Sequence, residues 1–121
     1  MQIESKHQIG LEQFKKGAYD NAVHLLSEAL LEREDSELWN DWATAQAAGG
    51  HMEEAKKGYQ RALQLNVNHS QSAANLGVLL YGEGKILQAV PLLEKSLQGL
   101  DEKQRGTVLN LLQQSRTQPI G

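Results

Sequence analysis

Cysteine is absent from this chain of 121 residues, which excludes disulfide bonds and thiolate metal ligands. Aromatic residues are also few, with two Trp, three Tyr and one Phe. A core must therefore be built mainly from Leu, Ala, Val and Ile. No apolar run has the length of a signal peptide core or a membrane span. We therefore expect a cytoplasmic protein, or a cytoplasmic part of a larger one, without membrane insertion.

Charge is modest, since 15 acidic and 12 basic residues leave a net charge of −3. The basic residues are not concentrated as a phosphate backbone requires, so a nucleic acid partner is not expected. An acidic cluster does occur, at Glu32, Glu34, Asp35, Glu37 and Asp41. Blocks of like charge usually face water, so a solvated turn is favoured there over a docking site for a metal or a basic partner.

An internal repeat organises the sequence. A glycine is followed five residues later by an alanine at three places: Gly17 and Ala22, Gly50 and Ala55, and Gly84 and Ala89. The three places are separated by 33 and 34 residues. A bulky residue follows each alanine four positions later, at Leu26, Tyr59 and Leu93.

The spacing has a physical reason in the packing of helix pairs. Small residues at fixed positions let two helices approach closely, and bulky neighbours fill the space beside them. The glycine is predicted to lie in the turn between the helices, where a positive φ is often needed. Since one helix pair cannot bury its apolar face, successive pairs must stack.

These residues resemble the tetratricopeptide repeat family over about residues 3 to 100. Trp39 with Trp42-Ala43, and Ala73 with Leu76-Gly77, resemble the first-helix pattern of the family. Ala55, Tyr59 and Ala62 resemble its second-helix pattern. The resemblance implies an all-α fold, a right-handed α-solenoid of three antiparallel helix pairs and one capping helix.

The expected boundaries follow from the repeat and from helix signals in the sequence. A repeat domain is predicted over residues 1–116, with repeats at about 3–35, 36–69 and 70–101, a capping helix at about 102–116, and a flexible tail or linker at 117–121. Helices are predicted at 3–16, 20–33, 37–48, 52–65, 71–82, 86–98 and 102–116. Ser36 and Ser70 are predicted to be N-caps.

Signals of catalysis are lacking. The four histidines, His7, His24, His51 and His69, do not have the spacing of metal ligands and are interpreted as solvated side chains. The sequence Gly82-Glu83-Gly84-Lys85 follows a helix and is too short for a phosphate-binding loop. No nucleophile elbow is present. We therefore expect a protein that is not an enzyme and has neither a metal nor a cofactor.

The resemblance implies a binding groove, because the first helices of successive repeats line a concave face in this family. The groove residues carried over are Gln8, Leu11, Asn40, Asp41, Thr44, Gln71, Asn75 and Val78. Three of them, Gln8, Asp41 and Asn75, correspond to a ladder of asparagines that holds peptide backbone in one subclass. Solvated polar groups are the alternative interpretation of these three side chains.

A second subclass binds the C-terminal carboxylates of heat-shock chaperones through Lys, Asn and Arg side chains. The corresponding positions here are His7, Leu11, Asp41, Gln71 and Asn75, and none is Lys or Arg. Asp41 would repel a carboxylate, so binding to chaperone tails is not expected. A neutral or basic peptide is the expected partner.

Three functions remain open from the sequence. The first is a protein–protein interaction module that binds an extended peptide or a helix, with a monomer favoured. The second is a non-catalytic arm of a larger bacterial enzyme, such as a glycosyltransferase or a methyltransferase, which the strings Leu38–Ala43 and Asn75–Leu80 resemble. The third is a self-assembly module, which concentration-dependent mass measurement would detect.

Overall fold

A computed structural model describes residues 4–117 of the chain. These residues form seven α-helices and no strand, which confirms the predicted all-α helical repeat class. The helices are α1 (Lys6–Lys15), α2 (Tyr19–Glu32), α3 (Ser36–Ala48), α4 (Met52–Leu65), α5 (Ser70–Gly82), α6 (Ile86–Ser96) and α7 (Glu102–Ser115). The predicted helix start at residue 3 and residues 118–121 of the predicted tail lie outside the described residues.

The chain divides into two compact units between Asn66 and Val67. The first unit contains the helix pairs α1–α2 and α3–α4, and the second contains the pair α5–α6 followed by α7. The right-handed turn of the predicted solenoid depends on how the two units are arranged, and it stays a prediction. The boundaries of the repeats and of the tail also stay predictions.

The turn within each helix pair is built around one glycine. Gly17, Gly50 and Gly84 have φ angles of 80°, 88° and 81°, and they are the only residues with positive φ between 4 and 117. Each turn is closed by the same backbone hydrogen bond, from the residue after the glycine to a carbonyl five residues earlier; for Ala18 and Gln13 the distance is 2.9 Å. This φ region is costly for any side chain, which explains the glycine at the start of the repeat pattern.

The predicted core residues are buried in both units, except that Trp42 is only partly buried. In the first unit, Ala22 and Leu26 belong to one buried cluster, which also contains Leu38, and Trp42 packs against it. The remaining predicted core positions are also buried, at Ala55, Tyr59, Leu76, Ala89 and Leu93. The core therefore depends on aliphatic side chains and alanine, as the small number of aromatic residues predicts.

Two helix pairs share one close contact, between a glycine of the first helix and a leucine of the second. A Cβ atom at Gly10 would lie 2.9 Å from the Leu26 side chain, and one at Gly77 would lie 2.7 Å from Leu93. Real Cβ contacts are essentially never this short. The middle pair places its glycine on the second helix, because a Cβ atom at Gly58 would lie 2.7 Å from the Trp42 ring.

The predicted N-caps at Ser36 and Ser70 are wrong by one residue, because both serines lie inside the first turn of their helices. Asp35 caps α3, and its carboxylate accepts a hydrogen bond from the backbone N–H of Leu38 at 2.8 Å. His69 caps α5 in the same way, through the N–H of Ser72 at 3.2 Å. The prediction failed at residue 69 because histidine is not among the usual capping residues.

Glycines provide a paired test of the packing. Replacing Gly77 by Ala forces a methyl group against Leu93 and should lower the free energy of unfolding by about 1–3 kcal/mol. Gly106 lies inside α7, where an added Cβ meets open space. Gly106→Ala should therefore raise the free energy of unfolding by about 0.5–1 kcal/mol, the usual gain for an exposed helix position. Urea unfolding followed by circular dichroism measures both changes; equal effects would contradict the packing at Gly77.

Candidate binding face on the first helices

One side-chain contact joins the first helices of the first unit. The Nε2 atom of His7 on α1 lies 2.7 Å from Oδ2 of Asp41 on α3, and both side chains are largely buried. The interpretation of His7 as a solvated side chain is therefore wrong. The two residues are 34 apart, about one repeat length, so they lie at matching positions of successive first helices. The separation of one repeat length is the signal in the sequence from which this contact could have been predicted.

Asp41 is consequently less free than the sequence indicates. Burial raises the pKa of its carboxyl above the ordinary value, and the negative charge of Glu37 acts in the same direction. The hydrogen bonds from His7 and Asn40 lower the pKa and so oppose the effect of burial. The carboxylate thus has partners within the chain.

Asn40 does not lie on an open surface, because only 4% of it is exposed. The prediction that Asn40 lies on the surface of the groove is therefore wrong. The family pattern places Asn40 on the first helix but does not reveal which neighbours cover it. Its hydrogen bond to Asp41 indicates a supporting role beneath the face.

Thr44 is engaged in a hydrogen bond between the two helices of its pair. Its hydroxyl lies 2.9 Å from the Tyr59 hydroxyl on α4. Burial raises the pKa of Tyr59, and the hydrogen bond with Thr44 partly opposes this shift. Leu11 on α1 is half-buried. Of these two predicted contacts, Leu11 offers apolar surface, whereas the Thr44 hydroxyl already has a partner.

Gln8 lies in solvent, but its side chain closes the first turn of α1. Its backbone N–H donates to the Ser5 hydroxyl at 3.1 Å, and its Oε1 atom accepts from the Ser5 N–H at 3.2 Å. This reciprocal pair is a capping box. A peptide would have to compete with this bond for the Gln8 carbonyl.

The second unit carries a row of amides on α5. The Nε2 atom of Gln71 donates to Oδ1 of Asn75 at 3.3 Å, and Gln104 on α7 donates to Oε1 of Gln71 at 3.0 Å. One turn further along α5, Val78 is 44% exposed. Tyr81 follows, and its buried hydroxyl has no hydrogen-bond partner in the described part of the chain. The α5 face therefore combines polar groups with exposed apolar surface.

Two members of the acidic cluster, Glu34 and Asp35, make hydrogen bonds within the first unit. The guanidinium of Arg61 on α4 donates from Nε and Nη2 to the two carboxylate oxygens of Glu34, both at 3.1 Å. Trp39 donates to the same carboxylate at 2.9 Å. These bonds, that of Arg61 first, lower the pKa of Glu34. Since Asp35 caps α3, these two carboxylates hold parts of the first unit together.

Among residues 4–117 no group of three or more His, Cys, Asp or Glu side chains could hold a metal ion. No helix in the same range has the length and apolar character needed to cross a membrane. The side chains brought together on the first helices can donate and accept hydrogen bonds. The complete predicted groove, and the ladder of Gln8, Asp41 and Asn75, stay predictions.

The raised pKa of Asp41 predicts a change of stability with pH. A raised folded-state pKa favours the protonated form on folding, so the stabilising contribution is present below the ordinary value of 3.8 and is lost as pH rises through the folded pKa. Asparagine cannot ionise. The free energy of unfolding of Asp41→Asn, relative to the parent, should therefore increase as pH rises from about 4 to 7.

Urea unfolding across this pH range measures the difference, with His7 and Glu37 present in both proteins. The exposed residue Asp20 provides the control variant Asp20→Asn. If both variants differ from the parent by an amount that does not change with pH, burial does not control the titration of Asp41.

No family model matches the chain, and no curated protein matches it. Solved structures do match it in fold. The TPR domain of Sgt2 from Aspergillus fumigatus is 17% identical, with a TM-score of 0.81, over 96% of this chain and 83% of that one. The Yersinia enterocolitica type III secretion chaperone SycD, in complex with a peptide of the translocator YopD, is 14% identical with a TM-score of 0.84, over 93% and 90%.

A third match is the second TPR domain of human RPAP3, in complex with the HSP70 peptide SGPTIEEVD. It is 23% identical with a TM-score of 0.79, and 94% of each chain is covered. At these identities the likeness concerns the fold. Together with the three glycine-centred helix pairs, it shows that this chain has a fold of the tetratricopeptide repeat type.

Proposed function

We propose that this chain is a protein–protein interaction module that binds a peptide segment on the exposed faces of its first helices. The observation that carries the proposal is the likeness of its fold to TPR domains whose structures contain a bound peptide. The sequence predicts that binding takes place in the cytoplasm, and the proposal keeps that prediction.

The α5 face has the chemistry that such binding needs. Gln71 and Asn75 carry amides, which can donate to carbonyls and accept from N–H groups of peptide backbone. Each hydrogen bond of this kind contributes about 1 kcal/mol net. Polar contacts therefore orient the peptide, and apolar contact with the exposed Val78 supplies much of the affinity.

The sign of the charge separates two kinds of peptide. The HSP70 peptide bound to RPAP3 has the sequence SGPTIEEVD, which contains three acidic residues. The five positions that the resemblance assigns to a carboxylate clamp hold no Lys or Arg in this chain. The exposed Glu37 and the neighbouring Asp41 also disfavour an acidic peptide. We propose a neutral or basic peptide that binds a monomer of this chain with micromolar affinity.

Selection from a random peptide library against the full chain tests the proposal. The selected peptides should carry zero or positive net charge, and SGPTIEEVD should not bind. Asn75→Ala should weaken the selected peptides about fivefold by loss of one hydrogen bond. Isothermal titration calorimetry measures the change.

Asn21→Ala is the matched control, since Asn21 is exposed on the second helix α2 and should leave the affinity unchanged. Asp41→Ala should also lower the affinity for the peptide, whereas its control Asp20→Ala, on α2, should leave the affinity unchanged. Enrichment of acidic peptides would contradict the charge argument. Equal affinity for the Asn75 and Asp41 variants and the parent would show that peptides do not bind on the first helices.

A further inference from the structure

A groove lies between α6 and α7 in the second unit, away from the α5 face. It has a volume of about 570 Å³, within the range of roughly 300–1,000 Å³ found for small-molecule sites. Val90 and Glu94 on α6, with Leu97 directly after its end, form one wall. The other wall is lined by residues at the end of α7: Leu109, Leu112, Gln113, Ser115 and Arg116. Leu109 is 47% exposed. The groove is therefore mixed in character, because apolar side chains line it together with the carboxylate of Glu94 and the guanidinium of Arg116.

The same wall occurs in the first unit, on α2. The two helices follow marker glycines that are 67 residues apart, Gly17 and Gly84, and they make the same close contact with a glycine of their first helix. The groove residues of α6 therefore correspond to residues of α2: Val90 to Val23, Glu94 to Ser27, and Leu97 to Leu30.

In the first unit an indole covers this wall. Trp42 on α3 packs with Val23 and Leu30 against the buried core cluster. Its Nε1 atom donates a hydrogen bond to the Ser27 hydroxyl at 3.0 Å. This side of α2 thus makes two kinds of contact with Trp42: apolar packing with the ring and a hydrogen bond with the indole N–H.

In the second unit the corresponding side chain is smaller. Asp35 caps α3 and Asp101 caps α7, each through the N–H three residues later. The seventh residue after the cap is Trp42 in α3 and Val108 in α7. Val108 is itself only 2% exposed, yet the groove beside it remains open. Valine is much smaller than the indole that stands at the corresponding position in the first unit.

Glu94 supplies an acceptor where Ser27 stands in the first unit. Its side chain is exposed, and within residues 4–117 its carboxylate has no hydrogen-bond or ion-pair partner. A carboxylate accepts a hydrogen bond more strongly than a hydroxyl does, because the bond is assisted by charge. The groove thus offers an apolar wall and an acceptor in the arrangement that holds Trp42.

We propose that the groove between α6 and α7 binds a tryptophan side chain of a partner protein, with the indole N–H donating to Glu94. The ring packs against Val90, Leu97 and Leu109. This site is separate from the peptide-binding face on the first helices, so the two proposals fail or succeed independently.

N-acetyl-L-tryptophanamide is the probe for the test, added to the full chain and followed by two-dimensional NMR of the backbone amides. Saturable shifts are expected at the amides of Val90, Leu97 and Leu109. Leu109→Ala should weaken the probe roughly fivefold, through loss of apolar contact. Leu87→Ala is the matched control, because Leu87 is 70% exposed on α6 and does not line the groove; it should bind the probe as the parent does.

Glu94→Leu separates the hydrogen bond from apolar packing. It should weaken N-acetyl-L-tryptophanamide and leave N-acetyl-L-leucinamide unchanged or stronger, whereas the parent prefers the tryptophan probe. Equal binding of the two probes by the parent, or no effect of Leu109→Ala, would overturn the proposal. A dimer in sedimentation that Leu109→Ala dissociates would also overturn it, since a second copy would then cover the groove.

Discussion

The close approach of two helices at a position without a Cβ atom underlies the rest of this structure. At Gly10 and at Gly77 the second helix lies so near that its leucine occupies the volume of a methyl group. Alanines on the second helix, Ala22 and Ala89, are buried in the same pairs. A pair packed this tightly is rigid, because any larger side chain at the contact must displace a neighbouring element. This rigidity keeps the outward side chains of each first helix at fixed spacing.

Several polar side chains of the first helices have partners within the chain. Asp41 bonds with His7, Thr44 bonds with Tyr59, and Gln8 closes a capping box. Each is a group that a sequence pattern counts as available to a ligand. Because a buried polar group without a partner is costly, the chain satisfies such groups internally where it can. On α5 the amides of Gln71 and Asn75 are likewise bonded to each other, and Val78 stays exposed beside them.

The last helix illustrates how a repeat changes at its end. Val108 and Leu112 of α7 are buried, and Gln104 bonds to Gln71 on α5, so the helix covers part of the final pair. It packs against α6 less extensively than α3 packs against α2. A groove lined by both apolar and polar side chains lies between α6 and α7.

The sequence alone determined the number, type and approximate ends of the helices, because glycine spacing and small-residue positions follow from local geometry and from helix pairing. It also predicted the burial of the alanines and leucines at the repeated positions, such as Ala22, Leu26 and Leu93. Tertiary structure decided which polar side chains remain available, since the partners of Asp41, Thr44 and Asn40 come from packing that no local pattern encodes. It likewise decided that His69 caps a helix, and that Glu94, whose carboxylate has no partner within residues 4–117, lies beside a groove. Hydrophobic periodicity repeats along the chain and can be read from it, whereas each polar contact depends on the particular neighbour that folding brings within about 3 Å.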